Sequence, residues 1–292
     1  MPADTVSAGP LWAAMYHSVA DPTDDPYRVT VSPHRLERQL RWLRRRGLTG
    51  VSMDRLLSAR AAGRGAGLVG LTFDDGYADF LEQAVPLLRR HAFTATVFVL
   101  PGRLGGTNEW DRPGPSKSLL TADGIRAAAR AGMEIGSHGL RHTDLTKADD
   151  AVLAADTARS RELLRELLRD LTGRHEVAGY CYPYGSVDAR AIKAVRAAGY
   201  AYACAIDPGP LTGVFALPRV HVGESDTGPR LHLKRRTHRW RREPVPASDY
   251  AEYAAHTRRT AQATRAAHAV RTVGTAQAAQ AVSGDSRAAT AT

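Results

Sequence analysis

The chain has 292 residues, 43% of them hydrophobic, and a formal net charge of +10. That length can bury one large core or two small ones. Two cysteines, Cys181 and Cys204, are too few for a disulfide scaffold and read as buried thiols, and no apolar run reaches a membrane span. The charge is uneven: residues 230–292 hold 12 Lys/Arg against 4 Asp/Glu, a balance of +8, which leaves +2 for the preceding 229. The first residues carry no basic stretch followed by a long apolar one, so the sequence as written predicts a cytoplasmic protein. A start codon upstream of Met1 would reverse that expectation to an extracytoplasmic one.

Strand-like and helix-like runs alternate along the chain. Leu11 to Val19 reads as a strand that passes through Tyr16-His17-Ser18. Ser32 then caps a helix with Pro33 in its first turn, Leu36, Leu40 and Leu43 on one face, and Gly47 after it. Leu68 to Phe73 is an apolar strand that stops at Asp74-Asp75-Gly76. Residues 78–91 read as a helix, and 94–100 as a β-branched strand closed by Pro101-Gly102. Residues 102–118 form a loop holding Trp110-Asp111. Thr121 caps a helix ended by Gly132, and Met133 to Gly136 is a short strand that leads into Ser137-His138-Gly139-Leu140-Arg141-His142. A charged helix over 149–171 follows, then a strand, Val177 to Tyr182, running into Pro183-Tyr184-Gly185. A helix over 187–198 and strands over 200–206 and 214–222 complete the pattern.

This alternation predicts parallel strands, in an open doubly wound sheet or a closed barrel. His17, Asp74, Asp75, His138 and Tyr184 all fall at the carboxyl ends of their strands, which in a barrel share one rim. The pattern ends near residue 230. The expected division is a globular unit over 1–229 and an irregular, basic, alanine-rich tail over 230–292.

The rim residues suggest chemistry. Adjacent buried carboxylates repel, so Asp74-Asp75 calls for a cation or a proton-transfer task. Histidines four apart on a helical turn would face one way, so His138 and His142 could bind one metal ion with Asp75 as third ligand. Asp74 would then be the general base toward a metal-activated water, His17 the general acid, and a backbone N–H near Tyr184 an oxyanion contact. Taken singly, each feature has an ordinary reading as a turn, a cap or a solvated helix face. Their meeting on one rim favours the catalytic reading.

Four stretches resemble a known family. Thr72-Phe73-Asp74-Asp75-Gly76, Ser137-His138-Gly139-Leu140-Arg141-His142 and Tyr182-Pro183-Tyr184-Gly185 are similar to the first three motifs of the polysaccharide deacetylases, the carbohydrate esterases of family four. Met15-Tyr16-His17-Ser18-Val19 resembles the amino-terminal motif of the poly-N-acetylglucosamine deacetylase branch. The likeness covers roughly residues 11–222. It implies a distorted (β/α)7 barrel with an irregular basic C-terminal tail, and an enzyme that removes acetyl groups from an N-acetylglucosamine-type glycan. Asp74 would be its base, with one divalent metal on Asp75, His138 and His142: zinc, or alternatively cobalt, nickel or manganese. Pro183, Tyr184 and Trp110 would line the substrate groove. The chain departs from the family at Cys181, where an arginine that orients the base usually stands. It also has no late Leu-x-His-Asp-like motif, which makes His17 the first choice of acid and His221 the second.

The expected partner is an acetylated glycan, with no transmembrane segment and no specific nucleic acid; the basic tail would make electrostatic contact with an anionic membrane or glycan. A catalytically silent glycan-binding barrel is the alternative reading.

Overall fold

The computed structural model describes residues 11–171, 176–241 and 244–263. Eleven strands are described: β1 Ala13–Tyr16, β2 Ser18–Val19, β3 Thr30–Val31, β4 Thr49–Val51, β5 Leu68–Phe73, β6 Thr96–Val99, β7 Glu134–Ser137, β8 Gly179–Cys181, β9 Tyr202–Ala205, β10 Leu217–Pro218 and β11 Val220–His221. The α-helices are α1 Pro33–Arg45, α2 Met53–Ala61, α3 Val85–Arg90, α4 Ala122–Arg130, α5 Asp150–Leu168, α6 Ala189–Ala197 and α7 Gly228–Arg241.

All the pairings are parallel, in the order β10-β9-β8-β7-β6-β5-β1-β11. The two ends of that order belong to one short stretch of chain. Leu217 pairs with Cys204 of β9, and Val220 pairs with Ala14 of β1, with Arg219 between them. The segment therefore bridges both edges and closes the sheet into a barrel of seven staves, an α/β fold as expected. The distortion is visible at β5. Its residues 68–70 pair with β4 and its residues 72–73 with β6, so two strands share one edge.

Strands β1, β5, β6 and β9 are buried along nearly their whole length, as covered parallel strands must be. Helices seal them through apolar stripes such as Leu36, Leu40 and Leu43 on α1, each at most 2% exposed. Side-chain caps fix the helix starts: Ser32, Thr121, Asp149 and Asp188 each accept from the backbone N–H three residues on.

Several expectations shift. Strand β4 and helix α2, capped by Ser52, lie where no element was read. The helix expected over 78–91 begins as a π-helical stretch, Phe80–Ala84, before α3. The single strand expected over 214–222 is broken at Arg219. The border expected at 229/230 falls inside α7, because Leu231 is 2% exposed and packs into the core, and His238 bonds the Leu11 carbonyl at 2.9 Å. Residues 247–253 are helical as well, and Tyr253 is fully buried. Residues 254–263 belong to a separate unit and are helical; the rest of the expected tail lies outside the described residues. No helix among the described residues is long and apolar enough to cross a membrane.

Candidate active site

Strand β5 delivers two aspartates to the carboxyl rim, and the backbone there parts them. Asp75 and Gly76 both adopt a left-handed φ of 69°. A Cβ on Gly76 would lie 2.9 Å from Val99 Cγ1, so glycine is demanded by space as well as by conformation. His142 and Tyr184 also have positive φ (67° and 60°). Such residues cost about 1–3 kcal/mol each and persist only where surrounding contacts hold them.

Asp75 Oδ1 lies 3.2 Å from His138 Nε2 and 3.3 Å from His142 Nε2. All three residues are buried. His138 Nδ1 is 2.9 Å from the Cys181 carbonyl oxygen, which can only accept, so Nδ1 carries the proton. Nε2 of the neutral ring is then a bare acceptor facing a carboxylate oxygen, an arrangement in which acceptor atoms converge without a donor. That donor set fits a divalent cation, and the carbonyl bond to Nδ1 is the usual support for a metal-binding imidazole. Burial alone would raise the Asp75 pKa, but His138 and His142 outweigh it and hold the carboxyl well below its ordinary range. Against its own burial, His138 is pushed upward by Asp75 and Asp74, a proton standing in for a cation.

The histidines do not sit on a helical turn, as their spacing had suggested. They lie on a loop after β7, where Gly139 takes φ +80° and a Cβ would strike Asp156 Oδ1 at 2.8 Å. Asp156 Oδ1 also accepts from Leu140 N–H at 3.0 Å and steadies that loop from α5.

Asp74 has a different environment. Arg219 donates to it twice, Nη1 to Oδ1 at 2.6 Å and Nη2 to Oδ2 at 2.7 Å. The guanidinium is fully enclosed, with Nη1 also donating to Thr72 Oγ1 (3.0 Å) and Nε to the Ala205 carbonyl (3.3 Å). Burial would raise the Asp74 pKa; the Arg219 charge and hydrogen bonds reverse that and keep it ionised. Cys181 Sγ touches the same guanidinium at 3.0 Å. The arginine missing at position 181 is thus replaced by one arriving from the β10–β11 junction, into space that a small cysteine leaves free.

Asp74, His138 and Cys181 form a second group with metal-ligand spacing. It is the poorer set, because Arg219 occupies both oxygens of Asp74 and burial pushes the Cys181 thiol well up, leaving it protonated.

His17 Nε2 stands 3.9 Å from Asp74 Oδ2, and Nδ1 is buried without a partner among the described residues. Its strand is tethered next door, where Asp79 accepts from Ser18 Oγ (2.6 Å) and Val19 N–H (2.9 Å). The His221 ring is 6.2 Å from that of His17. Burial, then His17 and Lys234, depress its pKa. Trp110 stacks on His142 with centroids 4.4 Å apart, and Tyr184 meets the same ring edge-on at 4.5 Å. Tyr184 is 54% exposed, and Pro183 beside it is buried. All eight residues expected at the site therefore gather on the rim.

The model of the family described as polysaccharide deacetylase matches residues 62–203. The chain carries a polysaccharide deacetylase domain. Such enzymes are hydrolases that act on carbon–nitrogen bonds other than peptide bonds. The deacetylase domain is 25% identical over 219 residues to YxkH of Bacillus subtilis (strain 168), a relative also named for the polysaccharide deacetylases, covering 73% of this chain and 72% of YxkH. It is 23% identical over 208 residues to the poly-beta-1,6-N-acetyl-D-glucosamine N-deacetylase of Staphylococcus aureus (strain MSSA476), covering 67% and 68%. Its fold is that of the Streptococcus pyogenes deacetylase PplD (TM-score 0.64, 21% identity, 77% of this chain and 97% of that one) and of IcaB from Ammonifex degensii (0.60, 24%, 78% and 97%).

His17 and Arg219, both directed at Asp74, lie outside the matched stretch. Arg219 is the residue that sequence reasoning missed. The available signal was an arginine alone in the apolar run Val214 to Val222.

Proposed function

We propose that this domain is a divalent-metal-dependent deacetylase that hydrolyses N-acetyl groups of an N-acetylglucosamine-type glycan. The observation that carries the reading is the convergence of Asp75, His138 and His142 beside an ionised Asp74 that they do not engage. Those three residues would hold the cation: zinc, or alternatively cobalt, nickel or manganese. When bound, it supplies Lewis acidity toward the acetyl carbonyl and lowers the pKa of water.

Asp74 takes a proton from the water that adds to the acetyl carbon. Arg219 fixes the carboxylate and keeps it ionised in the resting enzyme. As the C–N bond breaks, His17 gives a proton to the departing amine nitrogen, so the products are acetate and the free amino sugar. His17 is favoured over His221 because it is the nearer to Asp74. Trp110 and Tyr184 offer aromatic faces to the sugar, and the backbone N–H near Tyr184 is the candidate oxyanion donor. The names of the S. aureus relatives support a poly-N-acetylglucosamine substrate. Arg219 weighs against the silent-binder alternative, because it restores the one catalytic support that position 181 lacks.

Purified protein supplied with zinc or cobalt is expected to release acetate from N-acetylglucosamine oligomers. Asp75→Ala and His138→Ala are each expected to lose the bound metal and the release together. Unchanged metal content in those variants would overturn the ligand set, and sugar binding without acetate release would decide for a silent binder.

A further inference from the structure

A cluster of basic side chains lies on α1. Arg35, Arg38, Arg41 and Arg45 follow at spacings of three, three and four, which places them on one side of the helix. With Gln39, Trp42 and the stretch Asp226 to Pro229, they line a groove of about 280 Å³. Arg35 is offset by Glu224 at 3.6 Å and Arg41 by Glu37 at 3.0 Å. Arg38 and Arg45 are exposed and have no acidic partner among the described residues. Asp226, the acid in the lining, is engaged by Lys234 (2.6 Å) and the Gly223 N–H (2.9 Å). The groove also receives the amino end of α7, whose first turn holds no acid and whose helix dipole adds positive potential.

Gln39, 2% exposed, ties α1 to the loop after β11, its Nε2 donating to the Gly223 and Asp226 carbonyls at 3.0 and 2.9 Å. One further feature concerns what accompanies the negative charge. Trp42 is half-buried, with Gly228 so close that a Cβ there would lie 2.6 Å from the indole.

We infer that this groove binds an anionic saccharide, a sugar chain bearing phosphate, sulfate or carboxylate groups. Two unpaired guanidiniums suit anionic oxygens through forked hydrogen bonds. The indole gives the C–H face of a sugar an apolar wall. The inference goes beyond deacetylation and does not require it. One wall of the groove, from Asp226 on, begins five residues after His221, so an occupant lies on the chain segment that leaves the rim.

The test is titration of a fluorescent heparin hexasaccharide onto the full chain and onto Arg38→Glu/Arg45→Glu, with acetate release measured on the same preparations. The charge reversal is expected to weaken binding at least tenfold and leave acetate release unchanged. Arg38→Gln/Arg45→Gln, which removes contacts without adding repulsion, is expected to weaken it at least threefold. Equal heparin affinity in wild type and both variants would overturn the site and place heparin on the basic tail. Displacement of heparin by inorganic pyrophosphate or duplex DNA at equal charge concentration would overturn the saccharide assignment.

Discussion

Asp74 and Glu134 stand at opposite ends of the barrel, and the structure neutralises them in opposite ways. Asp74 follows β5 on the carboxyl rim, 3% exposed, and receives a buried guanidinium on both oxygens. Glu134 opens β7 at the amino end. By area it is only partly buried, but its carboxyl group is enclosed. Thr96 Oγ1 (2.6 Å) and Asp54 N–H (3.0 Å) donate to one oxygen and Tyr202 Oη (2.7 Å) to the other. No cation reaches it among the described residues, and Asp54 adds a second negative charge nearby. Burial and then Asp54 push its pKa up to about 7. Three neutral donors satisfy hydrogen bonds but do not offset desolvation of a charge, whereas one guanidinium does. Ionisation is thus preserved at the carboxyl proposed as the base and discouraged where the carboxyl only joins the elements at the barrel floor.

The largest break in this comparison is Arg219→Met. It strands a buried carboxylate, so Asp74 should take up a proton or destabilise the fold by about 3–5 kcal/mol. Acetate release should fall by about 10²–10⁴ as the base is neutralised or displaced. Adding Asp74→Asn to that variant should recover stability in a denaturant titration without recovering activity. Stability recovered by a polar isostere would confirm that the cost is charge rather than packing.

A smaller effect sharpens the other side. The folded pKa of Glu134 is raised above its ordinary 4.5 to about 7. Its contribution to stability is therefore whole below about pH 4.5 and lost as pH rises through about 7. With partial solvent screening the loss is about 2 kcal/mol. Glu134→Gln should flatten the fall of melting temperature over that window, with variant and wild type closest in acid. A fall as steep in the variant would assign that pH dependence to another group.

The rim of the candidate site was legible because each of its residues lies within three residues of a strand end, so alternation alone brings His17, Asp74, Asp75, His138 and Tyr184 together. Arg219 was not. A buried arginine in an apolar stretch declares that it needs an anion but not which one, and its partner is 145 residues away. The loop carrying His138 and His142 was misread as helical because the spacing of four suits a helix. Left-handed residues at Gly139 and His142 reach the same convergence by another route. The α1 groove was hidden by averaging, since a unit with a balance of +2 can still gather four arginines on one side of a helix. Residues 230–241 looked like tail because basic residues outnumber apolar ones there, yet one leucine, Leu231, anchors α7.

The central claim is a division of labour between two neighbouring aspartates, one for the cation and one for the proton. The most direct test measures metal content and acetate release on the same sample of Asp74→Asn. The account predicts a full equivalent of bound metal and no release. Release retained near the wild-type rate, or metal lost together with activity, would contradict it.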